Sequence, residues 1–251
     1  MQDTIVVVPC FNEADRFQAA PFAEAVAAGN LRFILVDDGS TDGTRDMLEA
    51  LARERHPRIT LLALDENHGK AEAVRRGVSA ALLQSPSLVA YLDADLATPI
   101  SELDGMCSLL DARPELHVVL GSRVALLGRD ISRSHVRHYL GRVFATAASL
   151  TLSLTVYDTQ CGAKVFRNTA AVRSVFAQPF LSRWIFDVEI LARLEALALE
   201  GLLPSLDRSA AEYPLLQWRD VSGSKVRPAA AAGASVELLR IWMRYRKGWK
   251  R

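Results

Sequence analysis

Cysteine is scarce in this chain. The 251 residues hold three, Cys10, Cys107 and Cys161, far apart in sequence. Thiols so few and so scattered make neither a disulfide framework nor a zinc site, and they fit a reducing, cytoplasmic setting. Long apolar runs are missing too. The longest uncharged stretch in the middle of the chain is Val143–Tyr157, fifteen residues that include Thr and Ser. A membrane-spanning helix needs roughly 20 apolar residues, so no transmembrane helix is expected. The first residues have no cationic segment: Asp3 is acidic and Ile5–Val8 runs into Pro9, so no signal peptide is expected. Net charge is nearly absent as well, +1 from 30 basic and 29 acidic residues, with half of the residues apolar. That composition is globular and excludes disorder of the whole chain. The small total hides a split. Residues 208–251 carry 10 Lys plus Arg against 3 Asp plus Glu, a net of +7, and residues 1–207 carry 20 against 26, a net of −6.

What is present is a regular beat of short apolar, β-branched runs: Thr4–Val8, Arg32–Val36, Ile59–Leu64, Leu88–Leu92 and His117–Gly121. Stretches with helical spacing, such as Asp42–Arg55 and Lys70–Gln84, lie between them. The alternation predicts βαβ units and a parallel sheet. After Gly121 the rhythm breaks. Asp158–Phe166 reads as an irregular strand or hairpin, Trp184–Leu199 as a helix, Glu212–Trp218 as a last strand, and Ala229 to about Arg246 as an Ala-rich helix. With no Pro/Gly/Ser-rich linker, the expected organisation is one domain over 1–225 and a basic tail over 226–251.

Polar residues gather where the strands end. Pro9-Cys10-Phe11-Asn12-Glu13 follows the first, Asp37-Asp38-Gly39-Ser40-Thr41-Asp42-Gly43-Thr44 the second, and Asp93-Ala94-Asp95 the fourth. Ligands of open parallel sheets bind beyond the carboxyl ends of the strands, near a switch in strand order, so three acidic clusters can share one crevice. Helix capping accounts for Thr41 or Asp42. It does not account for Asp93 and Asp95, two acids one small residue apart that need a counter-ion. A hard divalent cation, Mg2+ or Mn2+, meets that need and bridges to phosphates. No G-x-G-x-x-G follows the first strand, which disfavours a nicotinamide enzyme.

These segments resemble glycosyltransferase family 2, and more narrowly the dolichyl- or polyprenyl-phosphate sugar synthases. Asn67-His68-Gly69-Lys70, Gly121-Ser122-Arg123, Asp158-Thr159-Gln160-Cys161-Gly162-Ala163-Lys164, Phe186-Asp187-Val188-Glu189 and Gly223-Ser224-Lys225 follow in the family's order. The Asp-Thr-Gln-Cys-Gly and Phe-Asp-Val-Glu segments point to the glucosyl branch. The resemblance implies the GT-A fold, α/β with a mostly parallel central sheet flanked by helices. It implies that Pro9, Phe11 and Glu13, with Asp37 or Asp38, hold a nucleoside, and that Gly69 and Lys70 approach its diphosphate. Asp93, Ala94 and Asp95 then line the nucleotide, with the two acids on the metal, and Lys164 belongs to a substrate-binding segment. Arg123 and Arg137 match positions that face the acceptor phosphate, and Arg219 and Lys225 match a pair that closes over phosphate. Phe11 fits core packing equally well, and Lys70 a solvated first turn of a helix. Arg129, Arg133 and Arg142 fit a solvated or lipid-facing surface. Two positions depart from the family pattern: Ala97, where mannosyl relatives often carry Gln, and Ala163, where the glucosyl branch usually carries Phe.

The expected activity is metal-dependent, inverting transfer of a hexose to a polyprenyl phosphate, with UDP-glucose as the favoured donor and GDP-mannose the second. A phosphate monoester, with its second pKa at about 6, is already a nucleophile and needs no general base. Asp187 and Glu189 then orient Arg or Lys or reach sugar hydroxyls; with a hydroxyl acceptor, Asp187 is the base. A soluble family 2 transferase with a saccharide or small-molecule acceptor is one alternative, and a non-catalytic nucleotide-sugar-binding subunit another. In residues 240–251 six of twelve are basic, interleaved with Trp242, Tyr245 and Trp249. That pattern suits an anionic lipid surface rather than nucleic acid, and a peripheral position on the inner face of the membrane.

Overall fold

The apolar runs become strands whose two faces are both buried. In β1 (Thr4–Cys10), Ile5 and Val7 enter one core while Val6 and Val8 enter the other. Double coverage is why the run is continuously apolar rather than alternating. β2 (Leu31–Asp37), β3 (Ile59–Ala63), β4 (Leu88–Leu92) and β5 (Val118–Ser122) complete the beat. The computed structural model describes residues 2–29, 31–132, 146–149, 154–221 and 228–245. Arg133, Arg137, Arg142, the Ser222–Lys225 segment, Trp249 and much of Val143–Tyr157 lie outside the described residues.

Helices α1 (Ala19–Ala28), α2 (Thr44–Glu54) and α4 (Glu102–Ala112) cover one face through Phe22, Leu48 and Met106. On the other face lie α3 (Lys70–Leu83), α5 (Ala170–Ala177), α6 (Phe186–Leu199) and, after the short α7 (Leu206–Ser209), α8 (Pro228–Tyr245). They contribute Val74, Val172, Ile190 and Ile241 to the second core. Gly77 lets α3 lie close on the sheet, because a Cβ there would overlap Val7 and Val36. This contact sets the height of Lys70, the first residue of α3, above the strand ends.

The main sheet has the order β3-β2-β1-β4-β7-β5-β8, where β7 is Ala163–Arg167 and β8 is Ala210–Pro214. β6 (Asp130–Ser132) and β9 (Gln217–Arg219) form a separate parallel pair. The order turns from descending to ascending between β1 and β4, which fixes the crevice there. β7 runs antiparallel to both β4 and β5. The expected irregular strand or hairpin is thus a regular central strand, and its reversed direction brings Gly162 beside the exits of β4 and β5. The single last strand expected over Glu212–Trp218 is split into β8 and β9. The Leu216 and Gln217 N–H groups donate to the buried Glu102 carboxylate at 2.9 and 2.8 Å, which holds the chain in a turn off the main sheet.

Glu72, in the first turn of α3, receives Arg75 at 2.7 Å and Arg76 at 2.8 Å. The hydrogen bond from Arg75 and the second guanidinium outweigh partial burial and bring its carboxyl down from 4.5 to about 2. Its contribution to stability is therefore complete above the ordinary glutamate range and lost as pH falls towards 2. Glu72→Gln is expected to lower stability by about 1 kcal/mol at pH 7, the difference closing between pH 4.5 and 2. Urea unfolding midpoints across that range check it.

Candidate active site

The acidic pair leaves β4 on a tight turn with Leu96 in the left-handed region, at φ 50. The Ala97 N–H donates to Asp95 Oδ1 at 3.1 Å and the Asp93 N–H to Gly162 O at 3.0 Å. The Asp93 carboxylate lies directly on Gly162, where a Cβ would overlap it. Lys70 Nζ reaches Asp93 Oδ1 at 2.6 Å. Burial opposes the charge on Lys70, but Asp93, Asp187 and Asp95 outweigh it and raise the ammonium above its usual range. Burial, then the Asp93 charge, pushes the Asp95 carboxyl up. Two carboxylates and one lysine thus form a partly compensated cluster at the switch point.

Behind this cluster lies a buried one. Lys164, on β7, has no exposed surface; its Nζ donates to Asp187 Oδ1 at 2.7 Å and to Cys161 O at 2.8 Å. The Tyr91 hydroxyl donates to the same Asp187 oxygen, and its ring lies 5.3 Å from Lys164 Nζ. Burial and the Asp187 charge hold the Tyr91 phenol well above its usual pKa, so it remains a donor. Asp187 comes from the first turn of α6, where the helix N-terminus favours an acid. Cys161 is free and buried, its thiol pushed up to about 11 by burial, and is therefore unreactive.

Arg123, at the exit of β5, takes Asp158 in a fork: Nε to Oδ2 at 2.7 Å and Nη2 to Oδ1 at 2.8 Å. Its guanidinium carbon sits 5.4 Å from the centroid of the Trp218 ring. Burial opposes its charge and Asp158 more than offsets that, so its pKa is raised. The Asp158 and Tyr157 N–H groups both donate to the Glu212 carboxylate at 2.8 Å. The Arg219 N–H donates to Ala97 O at 3.0 Å, which ties β9 to the acidic turn.

At the β1 end, the Asn12 N–H donates to Ser40 Oγ at 3.0 Å and Asn12 Oδ1 accepts from the Thr41 N–H at 2.9 Å. The two strand-end loops are thereby joined. Pro9 and Phe11 are half-buried, and Glu13 receives Arg16 Nη2 at 2.7 Å. Asp38 accepts Asn67 Nδ2 at 3.0 Å, the His68 N–H at 2.9 Å and the Gly69 N–H at 2.8 Å. Burial raises its carboxyl despite these bonds.

The expected residues therefore fall into groups. Lys70, Asp93, Ala94 and Asp95 come together, with Ala94 itself buried between the acids. Four of the expected residues are engaged within the protein in this structure. Asp37 is fully buried and bonded to Arg45 Nε at 2.7 Å, so it presents no carboxylate to a nucleoside. Lys164 sits behind the crevice and meets Asp187. The fork of Arg123 is engaged by Asp158. The Arg219 side chain is exposed and meets Asp130 at 3.2 Å. Arg137 and Lys225 are outside the described residues. Sequence reasoning missed Tyr91, Trp218 and Arg183. Tyr91 and Trp218 carry no motif signal. Arg183 stands just ahead of Phe186-Asp187-Val188-Glu189, and that placement was the available signal.

The glycosyl transferase family 2 model matches residues 5–173. The chain belongs to glycosyl transferase family 2. As a member, it is a glycosyltransferase of the GT-A fold. Among its relatives is a dolichyl-phosphate beta-glucosyltransferase of Drosophila melanogaster, 32% identical over 98% of this chain and 76% of the relative. Another of the same description, from Dictyostelium discoideum, is 31% identical over 98% and 76%. The fold is shared with glucosyl-3-phosphoglycerate synthase from Mycobacterium tuberculosis, solved with Mn2+, UDP-glucose and phosphoglyceric acid. That match has a TM-score of 0.66 and 18% identity, and covers 96% of this chain and 80% of the other.

Removing the Lys164 ammonium leaves Asp187 buried without its cation. Lys164→Met is expected to destabilise the protein by about 3–5 kcal/mol. Lys164→Met/Asp187→Leu should recover part of the loss, as measured by denaturant unfolding.

Proposed function

We propose that this glycosyltransferase moves glucose, with inversion, from UDP-glucose to a polyprenyl phosphate at an anionic membrane surface, with Mg2+ or Mn2+ as cofactor. The observation that carries the reading is the Asp93–Asp95 pair at the β1/β4 switch point, with Lys70 as its internal counter-ion. The names of the relatives favour the glucosyl donor and the dolichyl-type acceptor. Among the described residues no group of three or more His, Cys, Asp or Glu is placed to hold a metal. The two carboxylates still fit one: they are hard oxygen donors and crowded enough that burial and mutual repulsion raise the Asp95 carboxyl. Asp93 and Asp95 would hold the cation, which would supply neutralisation of the diphosphate leaving group.

The remaining roles fall to side chains. Pro9, Phe11 and Glu13 border the nucleoside, and Asp38 shapes the Asn67–Gly69 loop beside it. Lys70, one residue after Gly69, passes from Asp93 to the diphosphate as the donor binds. An acceptor phosphate oxygen attacks the anomeric carbon, the bond from that carbon to the UDP oxygen breaks, and UDP leaves. Attack on the face opposite the leaving group inverts the centre. No base is required, and this agrees with Asp187 being buried against Lys164 and Tyr91 instead of open to a hydroxyl. Asp187 is a positioning residue, and the saccharide-acceptor alternative loses its base. Arg137, Arg219 and Lys225 match the family's phosphate-facing positions. Asp95→Asn is expected to lower transfer from UDP-glucose to a short polyprenyl phosphate at least ~100-fold. A radiolabelled turnover assay with Mn2+ reads it, and unchanged turnover would refute the metal role. GDP-mannose in place of UDP-glucose decides the sugar.

Membrane binding is assigned to the outer face of α8. Leu238 and Ile241 point into the core, whereas Val236, Leu239, Trp242 and Met243 are exposed beside Arg240 and Arg244. A helix with an apolar, basic outer face lies well at the surface of an anionic bilayer. Among the described residues no helix is long and apolar enough to cross one. Leu239→Glu/Met243→Glu should weaken flotation with phosphatidylglycerol vesicles by roughly tenfold or more. Equal flotation would move the contact elsewhere.

A further inference from the structure

We infer that Arg183 is a phosphate-binding residue of the donor pocket, carried there by the loop ahead of α6, and that it takes the diphosphate of the nucleotide sugar. The inference rests on the donor-site reading above and adds to it a residue from outside the strand-end motifs.

Gly69 stands at φ +96 immediately before α3, and the space where its Cβ would lie is filled by Arg183, whose Nε is 2.8 Å from that point and Nη2 3.2 Å. Arg183 Nη2 donates to Asn67 Oδ1 at 3.3 Å. Gly69 therefore admits a guanidinium from a segment more than a hundred residues away, at the loop that Asp38 holds with three hydrogen bonds. The next residue is Lys70, which reaches Asp93.

The acids nearby answer part of the positive charge there: Lys70 is paired with Asp93, and the Asp38 carboxylate, bonded to the Gly69 N–H, feels the charge of Arg183. Lys70 begins α3, and Arg183 lies over the residue before it, so two cations crowd the positive end of a helix. Glu72, the acid of that first turn, is engaged by Arg75 and Arg76. Arg183 is exposed and, among the described residues, forms no ion pair. A guanidinium has five N–H donors, and one bond to a neutral amide leaves most of them for an anion with several oxygens.

The backbone that carries Arg183 is firmly held, which makes the placement specific. The Leu181 N–H donates to Glu189 Oε2 at 2.7 Å and the Ser182 N–H to the same oxygen at 3.4 Å. On the other side, Ser182 Oγ accepts the Trp184 and Ile185 N–H groups at 3.2 and 2.7 Å. Ser182 Oγ also donates to Glu237 of α8. A rigid turn thus presents one long, exposed cation to the loop of the proposed diphosphate site.

The test uses Arg183→Gln and Arg183→Lys in the full chain with saturating Mn2+. Binding of UDP and of uridine is measured by calorimetry and competition, alongside acceptor KM. Arg183→Gln is expected to weaken UDP about 10- to 100-fold and uridine less than about twofold, with Arg183→Lys intermediate and acceptor KM little changed. Equal losses for UDP and uridine would overturn the inference, because a mere latch on Asn67 would disturb the whole pocket. Unchanged UDP binding, or a loss confined to acceptor KM, would overturn it too. If the unaltered protein binds no UDP, the donor-site reading falls first and takes this inference with it.

Discussion

Negative charge at the carboxyl end of the sheet is the constraint that organises this molecule. Asp93, Asp95, Asp158 and Asp187 converge there, and buried carboxylates are tolerated only with cations or hydrogen-bond donors against them. The chain answers with three cations from three different elements. Lys70 comes from the start of α3, Lys164 from β7 and Arg123 from the exit of β5. Each needs its element in one place. Gly77 seats α3 low on the sheet for the first. The antiparallel course of β7 between β4 and β5 supplies the second, and the pairing of β5 with β7 and β8 the third. The partners differ in what they leave free. Lys164 and Arg123 are enclosed by their carboxylates, whereas Lys70 is about a third exposed and can change partners.

Carboxylates that accept backbone N–H groups are the second layer of this design. Asp38 gathers the Asn67–Gly69 loop, Glu102 the turn after β8, Glu212 the Tyr157–Asp158 segment, and Glu189 the Leu181–Ser182 segment. These acids hold the crevice walls through the backbone. Hydrogen bonds to ionised acceptors are stronger than neutral ones, so a wall held this way is suited to positioning. Among the described residues this leaves the Asp93–Asp95 pair as the closely spaced acids not engaged by backbone N–H groups from other segments of the wall.

The same physics separates what was legible in the sequence from what was not. The first five strands were readable because two-sided burial writes itself as runs such as Ile5-Val6-Val7-Val8. β7 was readable only as an irregular strand or hairpin, because Lys164 interrupts its apolar pattern, and the pairing with Asp187 is what makes a fully buried lysine tolerable. Motif spacing located the strand-end loops but could not tell which way neighbouring side chains turn. Asp37 and Asp38 are adjacent, yet one closes on Arg45 inside the domain and the other on a loop over the crevice. Arg123 matched a phosphate-facing position, but its nearest acid lies 35 residues away in sequence at Asp158, and that separation leaves no local mark. Arg183 stands beside a motif, but what singles it out is a glycine in another loop.

The C-terminal helix shows how one element can serve both the core and a surface. Leu238 and Ile241 anchor it, and the Tyr245 hydroxyl donates to Glu189 Oε1 at 3.2 Å. Glu189 also holds Arg193 and the Leu181 N–H, so one carboxylate links α8, α6 and the Arg183 loop. Leu181 and Trp184 of that loop are exposed, as are Leu239 and Met243 of the helix beside it. Contact of this face with lipid would bear on the loop that reaches Gly69, through bonds about one residue apart. In the proposed reaction a polyprenyl phosphate meets its donor at the edge of a bilayer, and the helix proposed for that edge is joined through Glu189 and Glu237 to the loop proposed for the donor's diphosphate.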